Sequence, residues 1–319
     1  MLARFGLLVL RKNRRPGLAQ LLSLLRIKPH TLTEDDVGFM VSPRINAASR
    51  MDSPDIAARL LATTDWGEAL TLAQKLNGIN DERKTLVATT VKEVNKRLLD
   101  MKESPVIVMG NPNWRPGILG LVANSLMQAH GKVVFLWGRE GGDTIRGSCR
   151  SEGEVSVVAL MQGAGDIFDH MGGHTASGGF SVSEDRIHEL APRLMESFGK
   201  LKNKGGGVKE VLVDRNLDMA DVHAAHKELA ALSPFGIQNA KPMFMLPNLS
   251  VMSVRTFGKQ KNHLQVVCER EGAQITGVSF FSTPDSYQKK IKAGDKADVV
   301  AHVETDWRGG PRLRIVDVL

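Results

Sequence analysis

Four glycines surround one histidine between Met171 and Phe180, in a stretch that reads Met-Gly-Gly-His-Thr-Ala-Ser-Gly-Gly-Phe. Each interior glycine costs a helix or strand about 0.5–1 kcal/mol relative to alanine, so this composition predicts a bend. Backbone N–H groups exposed in such a bend, beside the ring nitrogens of His174, suit an anionic oxygen and above all a phosphate. Gly172, Gly173 and His174 are therefore candidate phosphate ligands. A tight turn with an incidental histidine explains the stretch equally well.

A second candidate anion site runs from Arg146 to Ser151, at the predicted end of a strand and shortly before a predicted helix over 155–161. Arg150 can hold a phosphate through two parallel N–H bonds, and the hydroxyls of Ser148 and Ser151 can serve its remaining oxygens. The N-terminus of the helix adds positive potential in the same region. The alternative is a polar loop between a strand and a helix.

Two other segments carry residues suited to nucleic acid. Arg44, Asn46 and Arg50 lie in a segment of small residues that could face a ligand. Trp114 and Arg115 stand at a predicted helix start, where an indole and a guanidinium could stack on a base or sugar. For Trp114, a hydrophobic anchor in a turn is the alternative that we favour.

The C-terminal third carries basic residues near predicted strand ends, together with aromatic residues such as Phe257. This combination fits an electrostatic groove for a single strand of nucleic acid. A solvated basic surface is the alternative. The candidates in this groove are Arg255, Lys259, Lys261, Trp307 and Arg308.

Charge and composition indicate the class of protein. The 319 residues include 42 Lys and Arg against 35 Asp and Glu, for a net charge of +7, which favours a polyanionic partner over none. A protein that simply happens to be basic has the same count. Cys149 and Cys268 lie far apart, which indicates a reducing compartment. The apolar N-terminal run is short and interrupted by Arg4, so we expect a cytoplasmic protein with no membrane partner.

Familiar catalytic motifs are missing from the sequence. It contains no Asp-x-Asp, no His-Glu-x-x-His, no P-loop and no nucleophile elbow. A metal-dependent phosphodiesterase needs several carboxylates and histidines around its ions. Asp169-His170 lacks a second carboxylate at a useful spacing, so we predict no metal site in this chain.

The predicted elements form an α/β region followed by a β-barrel. Apolar residues at helical spacing predict helix from 53 to 103, with the charges between Asp81 and Lys96 on its solvated face. Alternating strands and helices follow over 104–202, and Lys202–Gly207 is a linker by composition. After residue 208, roughly five short strands in about a hundred residues predict a small barrel, with the oligonucleotide-binding (OB) fold as one option.

The motifs together resemble the bacterial RecJ family of single-strand-specific exonucleases, within the DHH phosphoesterase superfamily. Ser-Pro-Arg-Ile-Asn-Ala-Ala-Ser-Arg at 42–50 is similar to that family's Gly-Pro-Arg-Leu-Asn-Ala-Ala-Gly-Arg, and Gly-Ser-Cys-Arg-Ser at 147–151 to its Gly-Ser-x-Arg-Ser. The other similar segments are Trp114–Gly120, the Gly-Gly-His at 172–174, Ser233–Pro242 and Leu313–Asp317.

The resemblance implies a fold and a function. It implies a remnant of the DHH catalytic domain at 1–52, a long connecting helix at 53–103, a DHH-associated domain at 104–202 and an OB domain at 208–319. The family degrades single-stranded DNA from the 5′ end in recombination and repair, using manganese or magnesium. Its metal ligands would lie outside this chain, which would then be inactive alone.

Single-stranded DNA is the partner that the resemblance implies, with a single-strand-binding protein or a separate DHH domain as further partners. A non-catalytic binding or scaffold subunit and a phosphodiesterase of small nucleotides remain as alternatives. By the same resemblance, Ser148, Arg150 and the Gly-Gly-His segment face the scissile or terminal phosphate, and 44–50 lines the same cleft. Arg115 stands where the family has histidine, which puts proton transfer there in doubt but not a phosphate contact.

Overall fold

The computed structural model describes residues 1–139, 144–201, 211–258, 261, 263–306 and 308–319. It divides into two compact units, of which one comprises Leu8–Val208 and the other Met1–Leu7 with Lys209–Leu319. We call them the α/β unit and the barrel unit. Among the described helices, none combines the length and apolarity that crossing a membrane requires.

Helices dominate the first hundred residues. The longest, α5, is capped at its N-terminus by Asp65, whose side chain accepts a hydrogen bond from the amide of Glu68, and it ends with basic residues in its last turn. The range predicted as helical, 53–103, contains two helices, α4 and α5, separated at 63–65. The helices up to this point are α1 (Leu2–Arg11), α2 (Pro16–Leu24), α3 (Ser42–Met51), α4 (Asp55–Ala62) and α5 (Trp66–Leu99).

A five-stranded sheet forms the centre of the α/β unit, in the order β1-β2-β3-β5-β4. The pair β1 and β2 is parallel and the remaining pairs are antiparallel. Helices α5 and α6 pack on one face, and α7 and α8 pack on the other. The elements are β1 (Val106–Gly110), α6 (Pro116–His130), β2 (Val133–Gly138), β3 (Ile145–Arg150), α7 (Val157–Gly163), β4 (His170–His174), β5 (Ser177–Val182) and α8 (Leu190–Leu201).

The glycine-rich stretch is a β-hairpin, so the prediction of a bend in place of strands was wrong. β4 and β5 pair directly, and the chain reverses at Thr175 and Ala176. A Cβ atom on Gly173 would lie 2.3 Å from the carbonyl oxygen of Ser177, and Gly173 has a φ of +151°. The glycines therefore allow close approach between strands, a use that their helix and strand propensities do not reveal.

The barrel unit contains a closed five-stranded barrel. Its strands follow one another in the order β7-β8-β9-β11-β10, and β10 pairs with β7 to close the ring. β9 and β11 are parallel and the other pairs antiparallel, which is the OB arrangement. The elements are β6 (Arg215–Asn216), α9 (Val222–Leu232), β7 (Phe244–Phe257), β8 (His263–Arg270), β9 (Ala273–Phe280), β10 (Lys296–Thr305) and β11 (Pro311–Val318).

Candidate phosphate-binding site

The register of the α/β sheet brings the two predicted anion motifs onto one face. Arg150 pairs with Ser177, and Ser177 pairs with His174, so these three residues form one row across β3, β5 and β4. Directly paired residues point to the same side of a sheet. The next row on this face is Ser148, Gly179 and Gly172. Gly179 and Gly172 thus leave an open backbone floor beside the row of Arg150, Ser177 and His174.

The guanidinium of Arg150 lies against α6, where Gly120 makes room for it. A Cβ atom on Gly120 would lie 2.7 Å from Nη2 of Arg150 and 3.6 Å from Oγ of Ser148. Nη1 of Arg150 donates to the carbonyl oxygen of Cys149 at 2.7 Å. The sheet, Ser148 and α6 therefore hold this guanidinium beside the glycine floor.

Three more arginines belong to the same electrostatic cluster. Burial lowers the pKa of Arg150, the neighbouring Cys149 acts to raise it, and the charge of Arg50 acts to lower it. Burial also lowers the pKa of Arg83, with further lowering by Arg50 and Arg44. Like charges that are desolvated together destabilise one another, so this cluster is suited to receive an anion. We call Arg44, Arg50, Arg83 and Arg150 the arginine cluster.

Helix α3 contributes two of these arginines through different contacts. Arg44 is buried, and it donates from Nε to Oδ1 of Asn77 at 2.9 Å and from Nη1 to the carbonyl oxygen of Met40 at 2.7 Å. Nη1 of Arg50 donates to the carbonyl oxygen of Gly117 at 3.0 Å, which joins the end of α3 to the start of α6. Asn46 is exposed one turn before Arg50, on the same face of α3.

The sequence pattern predicts Arg83 on the solvated face of the helix that is α5 in the structure, and this prediction was wrong. Its Nε atom is buried with no hydrogen-bond partner in the described part of the chain, and both side-chain polar atoms of Asn80 are in the same state. α5 packs against α3 along this face. The sequence carries a signal for this, because Asn77, Asn80 and Arg83 recur every three residues within the apolar stripe of a helix.

Trp114 does not offer a surface for stacking, which corrects its inclusion among the binding candidates. The ring is buried, and its Nε1 donates to Oε2 of Glu93 at 2.9 Å. The guanidinium of Arg97 lies 5.4 Å from the ring centroid on one side. The tryptophan is the hydrophobic anchor that the alternative interpretation describes, and Glu93, predicted on the solvated face, is its partner.

Ser151 and Arg115 lie beside the site in other roles. Ser151 is buried past the end of β3, and its Oγ donates to the carbonyl oxygen of Thr175 at 3.4 Å, so the structure does not bring it to Arg150. Successive strand residues face opposite sides, which is why Ser148 and Ser151 separate. Nη1 of Arg115 donates to the carbonyl oxygen of Met51 at 3.2 Å, and its phosphate contact stays a prediction.

The barrel candidates are placed within the barrel unit. Arg255 is exposed on β7, Lys261 is exposed in the β7–β8 connection, and Arg308 is exposed in the β10–β11 connection. Lys259 and Trp307 lie outside the described residues. Binding of DNA by all five stays a prediction.

Family models match both units of the chain. A DHHA1 domain matches residues 88–200, which include Ser148, Arg150 and the Gly-Gly-His segment, and a RecJ OB domain matches residues 213–316. The single-stranded-DNA-specific exonuclease RecJ of Bacillus subtilis is 29% identical over 326 residues, covering 99% of this chain and 41% of the relative. The chain is therefore RecJ-like. RecJ of Thermus thermophilus is 31% identical over 212 residues, covering 66% of this chain and 30% of the relative.

Solved RecJ structures have the same fold. The crystal structure of RecJ from Thermus thermophilus in complex with Mn²⁺ aligns with a TM-score of 0.78 at 26% identity, covering 98% of this chain and 45% of that chain. Its complex with Mg²⁺ aligns with a TM-score of 0.77 at 25% identity, over 98% of this chain and 47% of that chain. The chain thus spans less than half the length of these relatives.

The described residues do not fit the divalent ions of these RecJ complexes. No group of three or more His, Cys, Asp or Glu side chains among them could hold a metal ion. Mn²⁺ and Mg²⁺ prefer oxygen-rich ligand sets. The site assembled here has the opposite character, because its arginines, hydroxyls and backbone N–H groups suit an anion and not a cation.

Proposed function

We propose that this chain binds single-stranded DNA and holds one of its phosphates, terminal or scissile, between Arg150 and the glycine floor of β4 and β5. It would supply the phosphate-binding side of a 5′→3′ exonuclease that acts in recombination and repair. The metal-binding side would come from residues other than those described. The DHHA1 and RecJ OB matches and the names of the relatives support single-stranded DNA as the ligand.

The observation that carries the proposal is the excess of positive charge in the arginine cluster. Asp81 offsets the effect of burial on the pKa of Arg44. Within the described ranges, no carboxylate does so for Arg83 or Arg150. A phosphate oxygen bound by the guanidinium of Arg150 would supply the missing negative charge through charge-assisted hydrogen bonds.

Binding of two oligonucleotides tests the proposal. The full chain is titrated, without divalent ions, into 3′-labelled oligo-dT that carries either a 5′-phosphate or a 5′-hydroxyl, and fluorescence anisotropy gives each Kd. We expect tighter binding of the phosphorylated strand and a steep loss of affinity for both strands as salt rises. Arg150→Ala should lose about 2 kcal/mol of binding to the phosphorylated strand and much less to the other, because a charge-assisted hydrogen bond contributes about 1.5–3 kcal/mol.

Arg146→Ala is the matched control, since Arg146 lies exposed on the same strand outside the arginine cluster. It removes the same charge, and it should weaken binding of the two oligonucleotides slightly and to the same extent. Equal losses on both strands for Arg150→Ala would show a general backbone contact and contradict the proposed phosphate site. Absence of binding at low salt would contradict DNA binding altogether.

A nuclease assay tests whether the metal-binding side of the exonuclease site lies outside the described residues. We infer that the chain with Mn²⁺ leaves 5′-phosphorylated oligo-dT intact, since the described residues offer no ligand set for the ion. Degradation that co-elutes with the protein and disappears in the Arg150→Ala variant would contradict this inference.

The OB match over 213–316 counts against a small nucleotide as substrate, because such a ligand needs no extended groove.

A further inference from the structure

Helix α6 supports two arginines of the arginine cluster. Gly117 and Gly120 lie three residues apart and therefore on the same face of this helix. A Cβ atom on Gly117 would lie 2.3 Å from the carbonyl oxygen of Arg50, and one on Gly120 would lie 2.7 Å from Nη2 of Arg150. Nη1 of Arg50 also donates to the carbonyl oxygen of Gly117. The position of α6 therefore determines where both guanidinium groups lie.

Glu93 of α5 holds the segment that leads into α6. Its carboxylate accepts hydrogen bonds from Nε1 of Trp114 at 2.9 Å, from Nδ2 of Asn111 at 3.2 Å and from Nη2 of Arg97 at 2.5 Å. Trp114 directly precedes the N-cap of α6, and its amide donates to the carbonyl oxygen of Asn111 at 3.0 Å. One carboxylate thus binds both ends of the turn at 111–114, from which α6 starts.

The sheet holds the same turn from the other side. The amide of Asn111 donates to the carbonyl oxygen of Trp137 at 3.2 Å. A Cβ atom on Gly138 would lie 2.3 Å from the carbonyl oxygen of Trp114, so the turn packs directly on the end of β2. The turn is therefore fixed by backbone contacts on the sheet side and by the carboxylate of Glu93 on the side of α5.

The contact between Glu93 and Trp114 links the orientation of a buried ring to the start of α6. The indole of Trp114 is buried, and a buried indole N–H needs an acceptor. Without the carboxylate, the ring must turn toward another acceptor or leave its donor unpaired. A turned ring moves the backbone of Trp114, two residues before the first residue of α6.

We propose that Glu93 is a positioning residue for the phosphate site. Through Trp114 and α6, it keeps Arg50 and Arg150 in the arrangement that receives a 5′-phosphate. This inference rests on the proposed function. Binding groups must be held within about 0.5 Å of the productive geometry, and side chains behind them provide this by packing and hydrogen bonds. Glu93 would act in this way and not by contact with the strand.

The ratio of two dissociation constants tests this role. The full chain and its variants are titrated, without divalent ions, into 3′-labelled oligo-dT that carries either a 5′-phosphate or a 5′-hydroxyl. Glu93→Leu removes the acceptor and keeps an apolar side chain beside the ring. We expect the preference for the phosphorylated strand to fall about tenfold, as when one charge-assisted hydrogen bond is lost. A loss of stability alone leaves this ratio unchanged while the variant stays folded, which circular dichroism checks.

Two further variants separate the contact from the charge. Glu93→Gln keeps an oxygen that can accept from the indole, so it should restore most of the preference that Glu93→Leu loses. Glu82→Leu is the matched control, because Glu82 lies exposed on the same helix, and it should keep the full preference. An equal fall in preference for Glu82→Leu and Glu93→Leu would show an effect of charge on α5 and contradict the proposed role.

Trp114→Phe tests the route from the other partner, and it decides the question if Glu93→Leu does not fold. It keeps a buried ring and removes the indole N–H, so it should also lower the preference for the phosphorylated strand. Because both residues act through one contact, the double variant should lose no more than the larger of the two single losses.

Three results would overturn the inference. An unchanged preference in Glu93→Leu would mean that Glu93 only stabilises the fold. An unchanged preference in Trp114→Phe, or additive losses in the double variant, would mean that Glu93 does not act through Trp114. The proposed function survives each of these results if Arg150→Ala still loses discrimination of the 5′-phosphate. If the unaltered chain does not discriminate, the proposed function itself fails, so the two failures are distinguishable.

Discussion

The barrel and the α/β unit each gather positively charged side chains in a half-buried setting, and they neutralise them differently. In the barrel, Glu304 is the centre of the group, with its oxygens 3.0 Å from Lys241, 3.2 Å from Arg312 and 3.6 Å from Arg314. Burial acts to raise the pKa of Glu304, but the three cations outweigh burial and hold the pKa below its ordinary value.

The arginine cluster of the α/β unit has no such centre among the described residues. Burial and like charges lower the pKa of Arg83, and among the described residues no carboxylate opposes this lowering. In the barrel, the chain itself supplies the anion, Glu304, that neutralises the cations. In the arginine cluster, which has no central carboxylate among the described residues, we expect a ligand to supply the anion.

The largest effect that this comparison predicts is at Glu304. Glu304→Gln keeps the shape but leaves three cations around a neutral group, and removing one partner of a buried ion pair costs about 3 kcal/mol or more. Urea titration should show this loss in the free energy of unfolding. Glu196→Gln, which breaks an exposed pair with Lys200, is the control and should show no measurable loss. Equally small losses of unfolding free energy for Glu304→Gln and Glu196→Gln would mean that Glu304 does not neutralise the three barrel cations as described.

The pH dependence of the same variant follows from the direction of the pKa shift. A carboxyl whose pKa is lower in the folded state stabilises the protein above its unfolded pKa, about 4.3 for glutamate, and the effect is lost as pH falls through the folded value. The difference in unfolding free energy between the unaltered chain and Glu304→Gln should therefore be constant near neutral pH and shrink below about pH 4. A difference that grows on acidification would contradict the lowered pKa.

Sequence patterns predicted the two kinds of domain, and they singled out the two motifs that the sheet register places on one face. Alternation in the C-terminal third predicted a small barrel, and the structure confirms a closed one. The first barrel strand, β7, runs without interruption from Phe244 to Phe257. Pro247 and Asn248 favour a break locally, but pairing with β10 continues on both sides of them.

Tertiary packing decided what the sequence patterns could not. The glycines at 172–173 and 178–179 weigh against strands by propensity, yet close backbone contact between β4 and β5 requires glycine at 173 and favours it at 178. Charge alone placed Arg83 on the solvated face, and only the packing of α3 on α5 turns it toward Arg44 and Arg50. Such placements depend on contacts with residues distant in sequence, and for Arg83 the three-residue spacing from Asn80 and Asn77 is the local signal that charge alone overlooks.

A smaller effect is expected from Gly120→Ala, which tests the geometry of the arginine cluster without removing a charge. The new Cβ atom would lie 2.7 Å from Nη2 at the flexible end of Arg150 and in ordinary contact with Oγ of Ser148, so the guanidinium must move. We expect about tenfold weaker binding of 5′-phosphorylated oligo-dT, or about 1.4 kcal/mol, by fluorescence anisotropy.

Gly78→Ala is the matched control for Gly120→Ala, because a Cβ atom there meets nothing within 4 Å. Both variants replace a glycine inside a helix and should gain up to about 1 kcal/mol of helix stability. The control should bind phosphorylated DNA normally. If both variants bind equally well, the position of the Arg150 guanidinium does not matter for the phosphate.

Thermal unfolding of Arg83→Met tests the central claim most directly, namely that the arginine cluster lacks an anion which the ligand provides. Methionine removes a charge and an unpartnered buried donor. Without DNA, the variant should therefore be more stable than the unaltered chain by about 1 kcal/mol. With saturating 5′-phosphorylated oligo-dT, the unaltered chain should gain more in Tm than the variant, because tighter binding gives greater stabilisation. A variant that is less stable without DNA, or that gains as much from the oligonucleotide, would contradict the account.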